Sequence, residues 1–167
     1  MRNDSQRLAS LHAVDGVGTV RLQDTYDTGI DDLWSALTDP ARLSRWIAEV
    51  DGDLRPGGRV TITFTSGWEG AGRIEVCEAP RRLLVTLSAE GEGDTVLEAA
   101  LTEQDGRTLL TIEERGLPLQ ALPAHGAGWQ VHVEDLAAHL AGRERSDWSR
   151  RWQELTPAYR DEVDTAL

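Results

Sequence analysis

Only one stretch of this chain is both long and amphipathic enough to form a major helix, His125 to Leu140, and the fold has to be built around it. Trp129, Val133, Leu136 and Leu140 recur at spacings of four, three and four, which places them on one apolar stripe. Glu134, Asp135 and Ala138 fall away from that stripe. At about 1.5 Å per residue the helix is roughly 24 Å long, enough to cross several strands of a sheet. Gly126 and Gly128 precede the stripe, and Gly142 is suited to end the helix. A helix with one apolar stripe needs a broad apolar surface to cover.

The preceding residues supply that surface. Val20, Leu22 and Tyr26 alternate with polar neighbours as in a half-buried strand. Ile30, Leu33, Trp34 and Leu37 then repeat at helical spacing, with Thr28 or Asp31 as the cap. Asp39 and Pro40 stop this short helix and begin another, as N-cap and first helical residue, with Leu43, Trp46 and Ile47 on its apolar side. From Val60 onward the period is two. Val60, Ile62 and Phe64 make one strand, Ile74 and Val76 share a face of the next, and Leu83, Val85 and Leu87 make a third. Leu97, Ala99 and Leu101 follow, and Asp105-Gly106 is a strong hairpin signal before Leu110 and Ile112. One antiparallel sheet with one face to bury, and one helix to bury it, is the expected arrangement.

The 167 residues fit one domain: a polar leader over 1–16, a core domain over 17–142 and a helical tail over 143–167. In the tail, Trp148, Trp152 and Leu155 form a stripe. Thr156 and Pro157 restart a helix carrying Tyr159 and Val163. So much apolar surface must dock, either on its own domain or on a second copy as a homodimer.

Charge narrows the partners. The chain has 29 acidic residues against 17 basic ones, all Arg, for a net charge of −12. Such a surface repels phosphate backbones and anionic bilayers, so neither nucleic acid nor membrane insertion is expected. The first residues lack the pattern of a signal peptide, no apolar run is long enough to span a bilayer, and Cys77 is the sole cysteine. These features predict a soluble, cytoplasmic protein without disulfides.

Leu33, Trp34, Leu37, Thr38, Asp39 and Pro40, followed by Leu43 and Trp46, begin a longer ordered pattern. Pro56, Gly57 and Gly58 continue it, then Gly72 with Glu75, Pro80 with Leu83, Thr108, Leu110 and Ile112, and finally Gly128, Trp129 and Leu136. In this order the chain resembles the SRPBCC superfamily, which includes START lipid-transfer domains, birch-pollen-type allergens and polyketide cyclases. Within it, the chain is most similar to the small bacterial single-domain branch named for activators of the heat-shock protein 90 ATPase. The resemblance implies an α+β helix-grip fold: a curved antiparallel β-sheet wrapped around the long C-terminal α-helix, with two short helices after the first strand. It also implies a cavity between sheet and helix that in many relatives holds an apolar small molecule. Relatives in this branch often carry an aromatic residue where this chain has Leu87. The fold does not prescribe one activity.

Three functions are therefore weighed. The first is binding of a small hydrophobic molecule in a cavity lined by Ile62, Phe64, Trp68, Trp129, His132, Val133 and Leu136. The second is a polyketide cyclase or aromatase-like enzyme in which His132 or Glu114 moves protons in that cavity. Glu114 shares the side of Leu110 and Ile112, so it points inward if they do. The third is a co-chaperone-like interaction module with a filled core. His125, His132 and His139 recur every seven residues, about 10 Å apart along a helix, too far for shared metal ligation. No metal is expected, and no phosphate loop, nucleophile elbow or dinucleotide fingerprint calls for a cofactor.

Overall fold

The structure is a computed structural model that describes residues 7–166, with side chains through residue 162. Its elements in chain order are β1 (Ala9–Val14), β2 (Val17–Tyr26), α1 (Ile30–Thr38), α2 (Pro40–Trp46), β3 (Ala48–Gly52), β4 (Arg59–Phe64), β5 (Glu69–Glu78), β6 (Arg82–Ser88), β7 (Thr95–Gln104), β8 (Arg107–Pro118), α3 (Leu122–Leu140) and α4 (Trp148–Ala166), with a 3-10 turn at Leu119–Ala121 before α3. The eight strands form one antiparallel sheet in the order β1-β2-β8-β7-β6-β5-β4-β3. This sheet curves around α3 in the helix-grip arrangement, with the short pair α1 and α2 inserted between β2 and β3.

Alternation fixes which face is inward. Along β8, Thr108, Leu110, Ile112 and Glu114 are buried in a period of two. On β4, Val60 and Ile62 are buried between exposed Arg59 and Thr61. A bulge between Ile74 and Val76 shifts the parity of β5. As a result Cys77, not Val76, lies inside with Ile74. Asp39 caps α2 by accepting from the Ala41 N–H at 3.0 Å, and Pro40 opens that helix. Gly29, not Thr28 or Asp31, sits at the N-cap of α1, and Thr28 instead donates to Asp32 at 2.7 Å.

Two strands escaped the sequence pattern. Residues 9–14 of the expected leader form β1, while residues 1–6 lie outside the described chain. Only Ala9 of β1 is buried, and Val14 is 66 % exposed. Backbone pairing with β2, not apolar alternation, therefore holds this edge. Asp15 and Gly16 make the hairpin with φ of 53° and 77°, the same chemistry as Asp105 and Gly106 with 52° and 78°. The other edge, β3, is also short, and it carries exposed Glu49 and Asp51, charges that discourage further strand addition.

The long helix begins at Leu122, three residues before the expected start, and Gly126 and Gly128 lie in its interior. Both are sites of close approach. A Cβ on Gly126 would stand 2.8 Å from a Leu11 methyl and 2.9 Å from the Tyr159 ring, and one on Gly128 would stand 3.3 Å from Trp148. Close docking of α4 is also why α3 is buried well beyond one stripe. Asp135 and Ala138 are buried although the periodicity turned them outward, and Asp135 accepts from the Ser146 N–H at 2.8 Å in the loop leading to α4.

The tail is one continuous helix with Pro157 inside it, not a helix restarted there. Proline supplies no N–H to the carbonyl of Gln153, and Thr156 instead directs its hydroxyl to the Trp152 carbonyl at 2.6 Å. Leu155 and Tyr159 are fully buried, a burial worth about 1.5–3 kcal/mol for each large apolar side chain. Arg151 clamps Glu134 of α3 through two bonds of 2.8 and 3.0 Å. The Tyr159 hydroxyl accepts from the Leu8 and Ala9 N–H groups at 3.1 and 2.9 Å and donates to Gln130. It thereby ties α4, α3 and β1 together. Val163 lies outside the described side chains. Among the described residues no helix is long and apolar enough to cross a membrane.

Tyr159→Phe keeps the ring but removes the side-chain acceptor of the buried Ala9 N–H, while the Leu8 N–H keeps Gln130 Oε1 at 3.1 Å. It should lower unfolding free energy by about 1–3 kcal/mol in urea titration, and a change under 0.5 kcal/mol would show that this hydroxyl does not anchor the tail.

Candidate functional site

The first half of α3 presents His125, Trp129 and His132 at spacings of four and three, hence on one face. That face touches the sheet at Glu114 of β8, through His125 and Trp129. It borders an open cavity of about 420 Å³ lined by Phe64 at the end of β4, Trp68 in the β4–β5 turn, Leu87 of β6, Glu114 of β8, and Trp148 and Trp152 of α4. Gly70 leaves room for the Trp68 ring, since a Cβ there would lie 2.3 Å from it. Deeper in, Phe64, Leu87 and Trp129 also border a second, apolar space of about 130 Å³ between the sheet and α2, reached by Ile62, Trp46 and Cys77. Phe64, Leu87 and Trp129 thus lie between the two compartments.

The walls are aromatic to an unusual degree. Phe64 lies 5.4 Å from Trp68, 6.5 Å from Trp129 and 5.5 Å from His132, measured between ring centroids. His132 lies 5.4 Å from Trp129 and 5.6 Å from Trp148, and Trp148 stacks on Trp152 at 6.0 Å. Three indole N–H groups are already engaged: Trp68 with Glu92, Trp129 with Glu114 and Trp152 with the Ala124 carbonyl. The Trp148 Nε1 and the His132 Nδ1 are buried without hydrogen-bond partners.

Glu114 is only 5 % exposed, which places it on the inward row of β8 that its spacing from Leu110 and Ile112 anticipated. Its Oε1 accepts from Trp129 Nε1 at 2.9 Å and bonds His125 Nδ1 at 3.0 Å, and its Oε2 accepts from the Thr95 hydroxyl at 2.8 Å. Burial acts to raise its pKa. The His125 bond and charge, with the Trp129 and Thr95 bonds, outweigh burial and hold it below the usual carboxylate range. His132 has no such support. Burial pushes its imidazole down to about 3, against a weaker opposing pull from Glu114, so the ring is neutral.

The residues expected at a ligand site separate into three groups. Phe64, Trp68, Trp129 and His132 meet around the larger cavity, and Ile62 faces only the inner one. Val133 and Leu136 are core residues that face neither; Val133 turns toward β2 and β8, and Leu136 is completely buried. Glu114 pairs with His125, not with His132. The three histidines of α3 enter three environments: His125 beside Glu114, His132 among aromatic rings, and His139 accepting from Arg42 Nε at 3.1 Å. Among the described residues no cluster of His, Cys, Asp and Glu could hold a metal ion. Trp148 and Trp152 were assigned to the docking tail, and their place in the wall follows from α4 folding back across α3, which the periodicity of neither helix reveals.

Comparison with known proteins gives the fold a context. No curated protein matches the chain in sequence. Among solved structures, CalU16 from Micromonospora echinospora is 30 % identical with a TM-score of 0.77, covering 95 % of this chain and 98 % of its own. DynU16, described as a protein of the dynemicin biosynthetic locus, is 27 % identical with a TM-score of 0.71 over 78 % of this chain and 50 % of its own. A Bordetella parapertussis protein, encoded by gene BPP1335, shares the fold at 19 % identity, with a TM-score of 0.71 and coverage of 96 % and 94 %. The family model described as Activator of Hsp90 ATPase homolog 1-like protein matches residues 27–141, from the start of the helix pair to the end of α3. With that match spanning well over half of its length, the chain belongs to the Activator of Hsp90 ATPase homolog 1-like protein family.

Proposed function

We propose that the protein binds a small, largely hydrophobic molecule in the aromatic cavity between β4, β6, β8, α3 and α4. The observation that carries this reading is the His132 Nδ1. It is a buried polar atom without a partner, on a side chain that lines a space large enough for a ligand. Leaving such an atom unpaired costs about 1–3 kcal/mol, which a ligand hydroxyl or carbonyl would recover. DynU16, as a protein of a biosynthetic locus, is consistent with small-molecule work in similar proteins.

Acid–base catalysis by the same residues is less well supported. A general base works best with a pKa near the working pH. Glu114 already accepts three hydrogen bonds and lies below its ordinary range, and His132 lies at about 3. Both are set to hold one charge state at neutral pH. A co-chaperone-like module with a filled core agrees poorly with a space of about 420 Å³.

Two outcomes are expected. In calorimetric titrations, 2-naphthol, neutral at pH 7, should bind more tightly than naphthalene. His132→Leu should weaken naphthol binding by roughly 5- to 30-fold, the worth of one buried hydrogen bond, and leave naphthalene within about twofold. Absence of binding by either compound, together with a bare mass in native mass spectrometry of freshly purified protein, would overturn the reading.

The second outcome concerns acid stability. His132 is held at about 3 in the folded chain against 6.5 when unfolded, so the unfolded state takes up the proton first as pH falls. Its contribution is complete above pH 6.5 and should decline by about 2 kcal/mol between pH 6.5 and 4.5. Glu114 and other lowered carboxylates add the same sign only at lower pH, while His139, also lowered, acts in the same window. His132→Asn should therefore flatten, but not abolish, the fall in urea midpoint between pH 6.5 and 4.5. An unchanged slope would show that the ring is not buried neutral.

A further inference from the structure

Building on the ligand-binding reading, we propose that the molecule carries a cationic amine, with its ammonium group seated between the aromatic walls and the Glu114 carboxylate.

Apart from His125, which is already paired with Glu114, the cavity has no described side chain that could carry positive charge to receive an anion. None of the described Arg side chains lines it, and the chain has no Lys. A ligand carboxylate or phosphate would give up its water beside a buried carboxylate, which is costly without a paired cation. His125 is the one group there that could carry positive charge. Its side chain is 38 % exposed at the rim, where it already bonds Glu114 Oε1. His132, the other imidazole, stays neutral and repels no cation.

What the cavity offers instead is negative potential. Phe64, Trp68, Trp129, Trp148 and Trp152 all line it, and aromatic rings attract cations to their faces through the ring quadrupole. The indole N–H groups of Trp68, Trp129 and Trp152 are turned to protein acceptors, so the positive edges of these rings are occupied. Glu114 supplies the full charge. A carboxylate has about four acceptor positions, and Trp129, His125 and Thr95 fill three. One position remains on Oε2 for an ammonium donor. The net charge of −12 would raise the local concentration of a cation further.

The test compares three probes with one skeleton: 4-phenylbutylamine, 4-phenylbutanol and 4-phenylbutyrate, titrated at pH 7 with tryptophan emission and calorimetry as readouts. The amine should bind at least tenfold more tightly than the alcohol, with the carboxylate weakest. Glu114→Gln keeps an acceptor for Trp129 and changes the overall charge by one. It should bring amine and alcohol within about twofold of each other. An alcohol that equals the amine on the unaltered protein, a carboxylate that binds best, or an amine preference that survives Glu114→Gln would each overturn the proposal, the last by assigning the preference to overall charge. Even if the variant fails to fold, an alcohol that equals the amine or a carboxylate that binds best on the unaltered protein overturns the proposal. Failure of all three probes to bind would bring down the cavity reading together with this one, whereas alcohol binding without amine preference would bring down only this one.

Discussion

Everything in this molecule is arranged around the need to bury α3 on more than one side. A curved sheet can cover only part of a helix, and α3 carries apolar or small residues around most of its circumference. The missing cover comes from α4, which approaches closely at Gly126, through Tyr159, and at Gly128, through Trp148. Sheet and tail thus enclose the same helix from opposite sides. At the N-terminal half of α3 they do not quite meet, and the space between them is the aromatic cavity. The site is a by-product of how α3 is wrapped, and each of its walls comes from an element whose first task is to pack against that helix.

Glu114 shows how an expensive group can be accommodated in such a place. A lone carboxylate at 5 % exposure would protonate, yet here β7 supplies a hydroxyl and α3 supplies an indole N–H and an imidazole. The donors come from two elements, β7 and α3, so the ionised carboxylate also fixes how α3 sits against the sheet. His132 is the opposite case. It gives up its charge, keeps one nitrogen unpaired, and is held by rings alone. Two polar residues facing one cavity have been settled by opposite physical means.

Much of this was legible in the chain because period and turn chemistry act locally. The alternation at Val60, Ile62 and Phe64, the Asp39-Pro40 helix start and the inward position of Glu114 each depend on neighbours within a few residues. The edge strands were not legible because backbone pairing, not apolar alternation, defines them, although Asp15-Gly16 carried the same hairpin chemistry as Asp105-Gly106. Val133 and Leu136 were placed with the ligand because they share a stripe with Trp129. A helical stripe, however, specifies burial without saying whether the neighbour is a side chain or a space. The bulge in β5 likewise exchanged Cys77 for Val76, since one extra residue reverses the parity on which strand reading depends.

Pro157 divides α4 into two mechanically distinct parts. Ahead of it, Trp148 and Trp152 wall the cavity and Arg151 grips Glu134; beyond it, Tyr159 fastens the helix to β1 and α3. The backbone ladder is interrupted between these attachments. The two halves can therefore be altered almost independently: the face toward the ligand can be rewritten in sequence while the distal half continues to hold the tail in place. A helix that both shapes a binding wall and closes the fold would ordinarily trade one role against the other, and a single imino acid in its middle relaxes that trade.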